Sequence, residues 1–503
     1  MKKFAMNIEK AYIGIPVAAE KPEKMLEIFL GDRKLHEFQV PDSEEEPDYY
    51  SYINVEEYKG KELTFKGELS EKFFDRLIQS EDTTQEPLVR PLIHFTTERG
   101  WINDPNGLVY QNGTFQLFYQ YNPVNTKWQN MSWGHAVTKD LLRFQYREPA
   151  LFPDEYGTAF SGCGIVNEKG MLGLQKDALL FYYTAAGDAN EWSKGRKFTQ
   201  RIAYSTDGGE TLKKSDREAV GVIEKDSRDP KVFWHEESNA YVMVLWIQGN
   251  EFGILRSENL QDWKQVSSFT LPEAWECPDL FRLQGENETK WVFTSADGFY
   301  YFGEFDGFTF HTDGVQRKLY LDKLPYAAQS YSGVQDRTIL VPWLRTLNKG
   351  KLYTGAMALP RELALVTTAD KEVRVSMSPV REYENEKKKC KDFTFGEAEF
   401  ADEITEDVVT EIYLELEGKK TAEVEFFGKK LVIRKDALVF GEETTALPEA
   451  FDEVHILIDR QILEVYGNKN TLNAYFETCS DELQGKIKIS GGEGCGKLYQ
   501  WKA

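Results

Sequence analysis

Three carboxylates stand in similar settings along the chain, each beside a proline and just before a run of aromatic or branched residues. The segments are Trp101-Ile102-Asn103-Asp104-Pro105-Asn106-Gly107, Arg228-Asp229-Pro230 and Trp275-Glu276-Cys277-Pro278-Asp279. Proline biases the residue before it toward an extended conformation, so we expect all three acids to enter a strand in a similar way. One Asp-Pro pair alone indicates a turn. Three acids in matching settings indicate a catalytic arrangement.

The elements that must position these acids are strands. Short runs of aromatic and branched residues, bounded by Gly, Asn and Asp, dominate the chain, and helical periodicity is scarce. A pattern of turn, short strand, Gly/Asn turn and longer strand recurs about every 50 to 70 residues, close to the length of a propeller blade. It begins near Asp104, Ser161, Asp229, Asp279 and Ser332. The repeat predicts five blades, whose innermost strands bring the acids together at the axis.

The remaining sequence predicts two further β-rich units. After Pro379 a charged stretch, residues 381–391, has the character of a linker, and the strand patterns beyond it are typical of a β-sandwich. Residues 1–88 form a small β-rich unit with a helix predicted over residues 71–79. We therefore predict an all-β protein with an amino-terminal accessory domain (1–88), a five-bladed propeller (92–372) and a carboxy-terminal sandwich (385–503).

Composition excludes several classes of partner. A net charge of −22 argues against nucleic acid, because phosphate backbones are bound by clustered Lys and Arg. No apolar run reaches the roughly 18 residues of a membrane span. The first residues lack the basic and then continuously apolar pattern of a secretory signal, so we expect a cytoplasmic protein. The five cysteines are scattered and show no C-x-x-C spacing, which argues against disulfides or zinc.

Three acids near a guanidinium could hold a metal or cleave a glycoside. The histidines lie in unrelated settings and no calcium-binding loop motif is present, so the sequence predicts no metal and no cofactor. Around the acids stand aromatic rings with flat apolar faces and polar groups suited to sugar hydroxyls. They are Trp101, Trp128, Trp133, Phe160 and Trp343, together with Asn103, Gln120, Ser161 and Arg228. This mixture favours a carbohydrate pocket.

These residues also resemble an ordered family signature. The matching segments are Trp101 to Gly107, Phe160-Ser161-Gly162, Arg228-Asp229-Pro230, Glu276-Cys277-Pro278-Asp279, Tyr326-Ala327-Ala328-Gln329-Ser330 and Leu359-Pro360-Arg361-Glu362-Leu363. Six motifs in this order are similar to glycoside hydrolase family 32, the family of invertases, levanases, inulinases and sucrose-6-phosphate hydrolases. The resemblance spans roughly residues 92 to 503.

The resemblance implies a retaining β-fructofuranosidase that removes terminal fructosyl units from fructans, fructo-oligosaccharides or sucrose. It implies that Asp104 is the nucleophile, Glu276 the general acid/base, and Asp229 with Arg228 the group that holds fructose hydroxyls. It places the fructose subsite at Asn103, Gln120, Trp128, Phe160, Ser161 and Trp343. Crowded carboxylates cannot all ionise, so we expect one to stay protonated for the leaving oxygen.

Three alternatives remain open from the sequence. An intracellular invertase or sucrose-6-phosphate hydrolase would carry the same signature. A non-catalytic fructan-binding propeller would have no need of all three acids. An inverting glycosidase on the same propeller, such as an arabinan-cleaving enzyme, is disfavoured by the string from Trp101 to Gly107.

Overall fold

The chain folds almost entirely into strands. Its structure, a computed structural model, describes residues 1–83, 89–286, 288–387, 390–480 and 483–503. Its two α-helices are short, α1 (Glu71–Asp75) and α2 (Arg381–Glu386), and single 3-10 turns cover Glu56–Tyr58 and Glu191–Ser193. In the described part of the chain, no helix has the length and apolar character needed to cross a bilayer.

Residues before position 81 form two small antiparallel sheets around an apolar core, which we call the amino-terminal domain. The sheet orders are β1-β6-β3-β4 and β5-β2-β7. The strands are β1 (Lys2–Asn7), β2 (Tyr12–Val17), β3 (Glu23–Leu30), β4 (Arg33–Pro41), β5 (Tyr49–Asn54), β6 (Glu62–Gly67) and β7 (Ile78–Ser80). The helix predicted over residues 71–79 ends at Asp75, because Ile78 and Gln79 pair with β2 instead.

Five sheets form the blades of a propeller, each built outward from an inner strand. Blade 1 contains β8 (Gly100–Gln111), β9 (Thr114–Asn122), β10 (Ser132–Thr138) and β11 (Phe144–Leu151). Blade 2 contains β12 (Thr158–Val166), β13 (Leu179–Ala186), β14 (Thr199–Ser205) and β15 (Lys213–Val220). Blade 3 contains β16 (Arg228–His235), β17 (Ala240–Gln248), β18 (Glu251–Ser257) and β19 (Lys264–Thr270). The strand order follows the chain in all three blades.

The last two blades complete and close the ring. Blade 4 contains β20 (Asp279–Gln284), β21 (Thr289–Thr294), β22 (Phe299–Phe305), β23 (Phe310–Thr312) and β24 (Arg317–Lys318). Blade 5 contains β25 (Pro325–Ser330), β26 (Thr338–Leu344), β28 (Ala356–Met357), β29 (Arg361–Thr367) and β30 (Val373–Pro379). The short strand β27 (Tyr353–Thr354) leaves blade 5 and pairs in parallel with β8, which joins blade 5 to blade 1.

Two features of this region differ from the sequence prediction. The fifth inner strand ends at Ser330, so it begins earlier than the predicted marker Ser332, which instead forms an isolated bridge with Val109 of blade 1. The charged stretch 381–391 begins with α2, whose Tyr383 is buried, and runs into a strand that starts at Cys390. Residues 388 and 389 lie outside the described residues. Part of the stretch therefore packs against the core and does not act as a free linker.

The carboxy-terminal strands form two six-stranded antiparallel sheets that pack face to face, with orders β31-β42-β33-β38-β39-β40 and β32-β41-β34-β35-β36-β37. They are β31 (Cys390–Phe395), β32 (Phe400–Ile404), β33 (Val409–Leu416), β34 (Ala422–Phe426), β35 (Lys429–Ile433), β36 (Ala437–Phe440), β37 (Glu443–Ala446), β38 (Glu453–Asp459), β39 (Ile462–Gly467), β40 (Leu472–Glu477), β41 (Gly485–Ser490) and β42 (Gly494–Trp501). The predicted five-bladed propeller followed by a β-sandwich is confirmed.

Candidate active site

The inner strands are irregular where the candidate residues lie. In four of the five blades, the pairing of the inner strand with its neighbour skips two residues. The skipped pairs are Asn103-Asp104, Phe160-Ser161, Asp229-Pro230 and Ala327-Ala328. A bulge re-aims side chains that regular pleating would point at the neighbouring blades. The bulges of the first three blades therefore turn polar groups toward the propeller axis, whereas the skipped pair of blade 5 is Ala327-Ala328.

Two of the three acids meet at one cysteine. The Sγ of Cys277 lies 3.5 Å from Oδ2 of Asp104 and 3.5 Å from Oδ2 of Asp229. The backbone N–H of Cys277 also donates to Oδ2 of Asp229 at 3.0 Å. A cavity at the axis is lined by both acids together with Ser161, Cys277 and Gln329. Asp104 and Asp229, 125 positions apart by their numbers, thus share one small chamber.

Asp104 is oriented by a chain of hydrogen bonds. Ser161 Oγ donates to its Oδ2 at 2.6 Å, and Asn103 Nδ2 donates to its Oδ1 at 3.1 Å. Trp101 Nε1 in turn donates to the Oδ1 of Asn103 at 2.8 Å. Burial raises the pKa of Asp104, the hydrogen bond from Ser161 opposes that rise, and the nearby charge of Glu276 adds to it. The carboxylate therefore accepts a hydrogen bond on each oxygen and is held in one orientation.

Asp229 is the most enclosed acid of the three. Its side chain is buried, and its backbone N–H donates to Thr184 Oγ1 at 3.0 Å. Burial raises its pKa to about 7, against the lowering effect of Arg228, and the charges of Glu276 and Asp104 contribute to the rise. Its φ of 65° lies in the left-handed region, as do those of Glu276 (28°) and Cys277 (44°). Such backbone strain concentrates at functional sites, where the surrounding structure maintains it.

Glu276 is clamped on both oxygens. Arg228 approaches its Oε2 with Nη2 at 2.6 Å and Nε at 3.1 Å, and Tyr326 O–H donates to its Oε1 at 2.6 Å. The guanidinium stacks on Trp246, with 4.0 Å from Cζ to the ring centroid. Burial alone would lower the pKa of Arg228, but the carboxylates of Asp229 and Glu276 raise it. The acid with the pKa near neutrality is Asp229, whereas the sequence assignment gave the proton-donating role to Glu276.

Aromatic rings extend from the acids to the rim. Phe160, next to Ser161, contacts Trp128 (ring centroids 6.0 Å apart) and Phe198 (5.6 Å). Trp128 is 51% exposed, which is unusual for so large an apolar ring. Exposed aromatic faces beside buried acids are suited to the apolar face of a sugar.

The other aromatic candidates are buried supports. Trp343 is 8% exposed and packs edge-on against Trp101 and Tyr326, so it stands behind the residues that contact the acids. Trp133 is fully buried and donates through Nε1 to the carbonyl of Phe160 at 3.0 Å. Gln120 is also buried and donates to the carbonyl of Ala159 at 3.0 Å. Trp133 and Gln120 thus bind the backbone of the strand that carries Phe160 and Ser161.

Sequence reasoning did not assign a role to Tyr326, Cys277, Thr184 or Phe198. Tyr326 and Cys277 lie inside motifs that the sequence displays, and their proximity to acids could have been suspected. Thr184 and Phe198 stand outside any motif, and only the packing of blade 2 brings them to the site. Among the described residues, no group of three or more His, Cys, Asp and Glu side chains is arranged to hold a metal ion.

Known proteins share this architecture. Residues 94–378 match the model of the glycosyl hydrolases family 32 N-terminal domain. A levanase of Bacillus subtilis is 37% identical over 346 residues, covering 61% of this chain and 50% of the levanase. An exo-inulinase of Aspergillus niger is 36% identical over 339 residues, covering 56% of this chain and 63% of the inulinase. The chain thus spans from half to somewhat under two thirds of the length of these relatives.

Solved structures agree with the fold. The exo-inulinase of Aspergillus awamori superposes with a TM-score of 0.73 at 26% identity, covering 83% of this chain and 98% of the inulinase. A glycoside hydrolase family 32 structure from Bifidobacterium adolescentis gives 0.67 at 18% identity and covers 100% of this chain and 99% of its own. The second alignment therefore includes the amino-terminal domain. With its propeller, its ordered motifs and a family match across more than half of its length, the chain belongs to glycoside hydrolase family 32.

Proposed function

We propose that this protein is a retaining β-fructofuranosidase that releases terminal fructosyl units from fructans, fructo-oligosaccharides or sucrose. The observation that carries the proposal is the meeting of Asp104, Asp229 and Glu276, with Arg228, at the propeller axis. The named activities of its relatives, levanase and exo-inulinase, support the choice of fructose-containing substrates.

The contacts support a distinct role for each acid. Asp104, oriented by Ser161, would attack the anomeric carbon while the bond to the leaving oxygen breaks and Glu276 gives that oxygen its proton. The covalent fructosyl ester on Asp104 would then be displaced by water, whose proton passes to Glu276. Asp229 would accept hydrogen bonds from fructose hydroxyls, with Arg228 beside it. Each step needs only carboxyl groups, positioned donors and water.

The clamp on Glu276 adds one requirement to this scheme. Nη2 of Arg228 lies 2.6 Å from Oε2 of Glu276 and so occupies one of the two oxygens that could carry the transferred proton. We infer that sugar hydroxyls draw the guanidinium away from Glu276 and toward the substrate. Substrate binding would thereby leave Oε2 of Glu276 free to contact the leaving oxygen.

The shape of the site favours release from chain ends. Asp104 and Asp229 line a small axial chamber, and the exposed ring of Trp128 contacts Phe160, the neighbour of Ser161 in the chamber wall. A chamber of this kind admits one terminal ring with the rest of the substrate outside. We therefore propose an exo mode of action, with fructose as the main product.

Product analysis tests the proposal and its alternatives. Sucrose, sucrose 6-phosphate, inulin, levan and short fructo-oligosaccharides are incubated with the protein, and the products are separated by chromatography over time. Free fructose from the polymers at the earliest times is the expected result. Oligosaccharides of intermediate length would indicate an endo mode. Turnover limited to sucrose or its phosphate would indicate an invertase or phosphohydrolase, and binding without products would indicate a fructan-binding propeller. Cytoplasmic location stays a prediction for cell fractionation.

A further inference from the structure

One wall of the candidate site is a loop between blade strands. Residues 123–131, here called the Trp128 loop, join β9 to β10 and carry Trp128 to the rim. Trp128 contacts Phe160, whose neighbour Ser161 binds Asp104. Because about half of the Trp128 ring is exposed, the packing of its own ring does not fix the loop. Other contacts must hold it in place.

The amino-terminal domain supplies many of those contacts, and Asn122 of the propeller supplies others. Val124 is fully buried within the apolar core of that domain, although it belongs to the propeller chain. Hydrogen bonds to the amino-terminal domain also hold Val124 and the residues on either side of it. They are Ser51 Oγ to the carbonyl of Pro123, Tyr49 O–H to the carbonyl of Val124 at 3.3 Å, Asn125 Nδ2 to Glu23 Oε1 at 2.8 Å, Gln39 N–H to Asn130 Oδ1 at 2.7 Å and Asn130 Nδ2 to the carbonyl of Gln39 at 2.9 Å.

The same domain holds a second loop of the rim. Residues 187–198, here called the Phe198 loop, link β13 to β14, and Phe198 contacts the other side of Phe160. Glu37 accepts the backbone N–H of Trp192 at 3.2 Å, and Lys34 lies 5.1 Å from the Trp192 ring. Glu37 is only 4% exposed. Its Oε2 pairs with Lys34 at 2.7 Å while its Oε1 accepts the Trp192 N–H, so a buried side chain of the amino-terminal domain binds this loop directly.

Beyond the Phe198 loop lies space for more than one sugar. The loop and residues 222–226 line an open cavity of about 710 Å³. The carbonyl of Asp226 in this wall accepts a hydrogen bond from Nη1 of Arg228 at 3.0 Å. Arg228 therefore contacts both this wall and Glu276. The position of the Phe198 loop therefore sets the width of the rim next to Arg228.

We propose that the amino-terminal domain is a positioning part of the substrate site, which holds the Trp128 and Phe198 loops so that their rings converge on Phe160. The proposal rests on the proposed function for its substrate. It replaces the expectation that residues 1–88 are an accessory outside the reaction centre. The domain contributes no reacting group. It lowers the ordering cost that a sugar would otherwise meet at two flexible walls.

The test removes two of the carboxylates that reach the loops, Glu23 and Glu37, and leaves Glu20, which pairs with Lys127 at 3.0 Å, in place. The double variant Glu23→Ala/Glu37→Ala is compared with Glu23→Gln/Glu37→Gln, whose amide oxygens still accept hydrogen bonds from Asn125 and Trp192. Glu27→Ala is the matched control, because Glu27 binds the same Lys34 at 2.5 Å from the same sheet. All are assayed on sucrose and inulin for kcat and KM. Their thermal midpoints and the amide hydrogen exchange of both loops are also measured.

We expect the alanine pair to raise KM about tenfold with little change in kcat, since uniform binding is lost while the reacting groups stay in place. The glutamine pair and Glu27→Ala should stay within about twofold of the original protein. Exchange in residues 123–131 and 187–198 should accelerate in the alanine pair alone. If the pair does not fold, the single variants Glu23→Ala and Glu37→Ala carry the same expectations.

Two results would overturn the proposal. One is an unchanged KM together with unchanged exchange in both loops. The other is an equal loss in all variants, with lowered thermal midpoints, which would mean a purely structural role. If the original protein cleaves no fructoside, the proposed function fails by itself. Hydrogen exchange still decides whether the domain orders the loops.

Discussion

Arg228 lies closer to Glu276, which is 48 positions away in the chain, than to Asp229, its neighbour in sequence. The guanidinium is 2.6 Å from the Glu276 carboxylate and 3.8 Å from that of Asp229. The left-handed backbone of Asp229 turns its side chain toward Cys277, while Arg228 lies over Trp246. The free site therefore holds an ion pair between Arg228 and Glu276 beside Asp229, a carboxyl whose pKa burial raises to about 7.

The two reacting acids should respond differently to substitution. Asp104→Ala should abolish nearly all turnover on every substrate, because no fructosyl ester can form. Glu276→Ala should lose about 10² to 10⁴-fold on sucrose, yet far less on a β-fructofuranoside with an activated leaving group. Azide should partly restore turnover of the activated substrate. Equal losses on both substrates without azide rescue would contradict the assignment.

Arg228 should control the acid side of the pH profile. Its cation lowers the pKa of Asp229, which burial raises to about 7. Arg228→Gln removes that effect, so the pKa of Asp229 should rise further and the acidic limb of kcat/KM should move to higher pH. Measurement of kcat/KM from pH 4 to 9 checks the shift. An unmoved limb would show that Asp229 does not titrate in that profile.

Asp229 should reduce stability at neutral pH. Its folded pKa of about 7 lies above the ordinary 3.8, so the folded state holds the proton more tightly than the unfolded state. Stability should then decline as pH rises from about 4 to 7, by up to about 4 kcal/mol. Asp229→Asn should remove this decline while it still accepts the N–H of Cys277. The free energy of unfolding of both proteins is measured by denaturant titration at pH 4 and pH 8. The prediction is contradicted if the original protein and the variant differ by the same amount at the two pH values.

A buried ion cluster at the junction of propeller and sandwich should contribute more to the free energy of unfolding than an exposed ion pair does. Arg361 binds Glu464, His94 lies between Asp459 (2.8 Å) and Glu464 (3.1 Å), and all four side chains are buried. Glu464→Ala strands the charge of Arg361 and should cost about 3 to 5 kcal/mol of unfolding free energy. Asp407→Ala, which breaks an exposed pair with Lys502, should leave the free energy of unfolding almost unchanged, because solvent screens the pair. Denaturant titration of both variants tests the contrast.

Turnover should survive exhaustive chelation. The proposed steps use carboxyl groups and water alone. Activity on sucrose is measured before and after dialysis against a chelator, with back-addition of divalent ions as the control. Loss that an ion restores would reveal a metal requirement.

Much of the fold can be predicted from local sequence patterns. The markers Asp104, Ser161 and Asp229 lie in inner strands, Gly100–Gln111, Thr158–Val166 and Arg228–His235, as the repeat predicts. Alternation of apolar residues and the turns between them depend on neighbours in sequence, so they can be read directly. The helix after Glu71 was predicted too long because Ile78 pairs with a distant strand, Tyr12–Val17, and that pairing is not visible locally.

The candidate acids could be named from the sequence, because Asp104, Asp229 and Glu276 each lie in a recognisable motif. The tertiary structure decided how charge is shared among them. Burial and the reach of Arg228 depend on residues brought together from different blades, and they place the raised pKa on Asp229. The tertiary structure also decided that Trp343 stands behind the site and that the amino-terminal domain buries Val124. Long-range packing sets electric fields and loop positions, whereas motifs record only which groups are present.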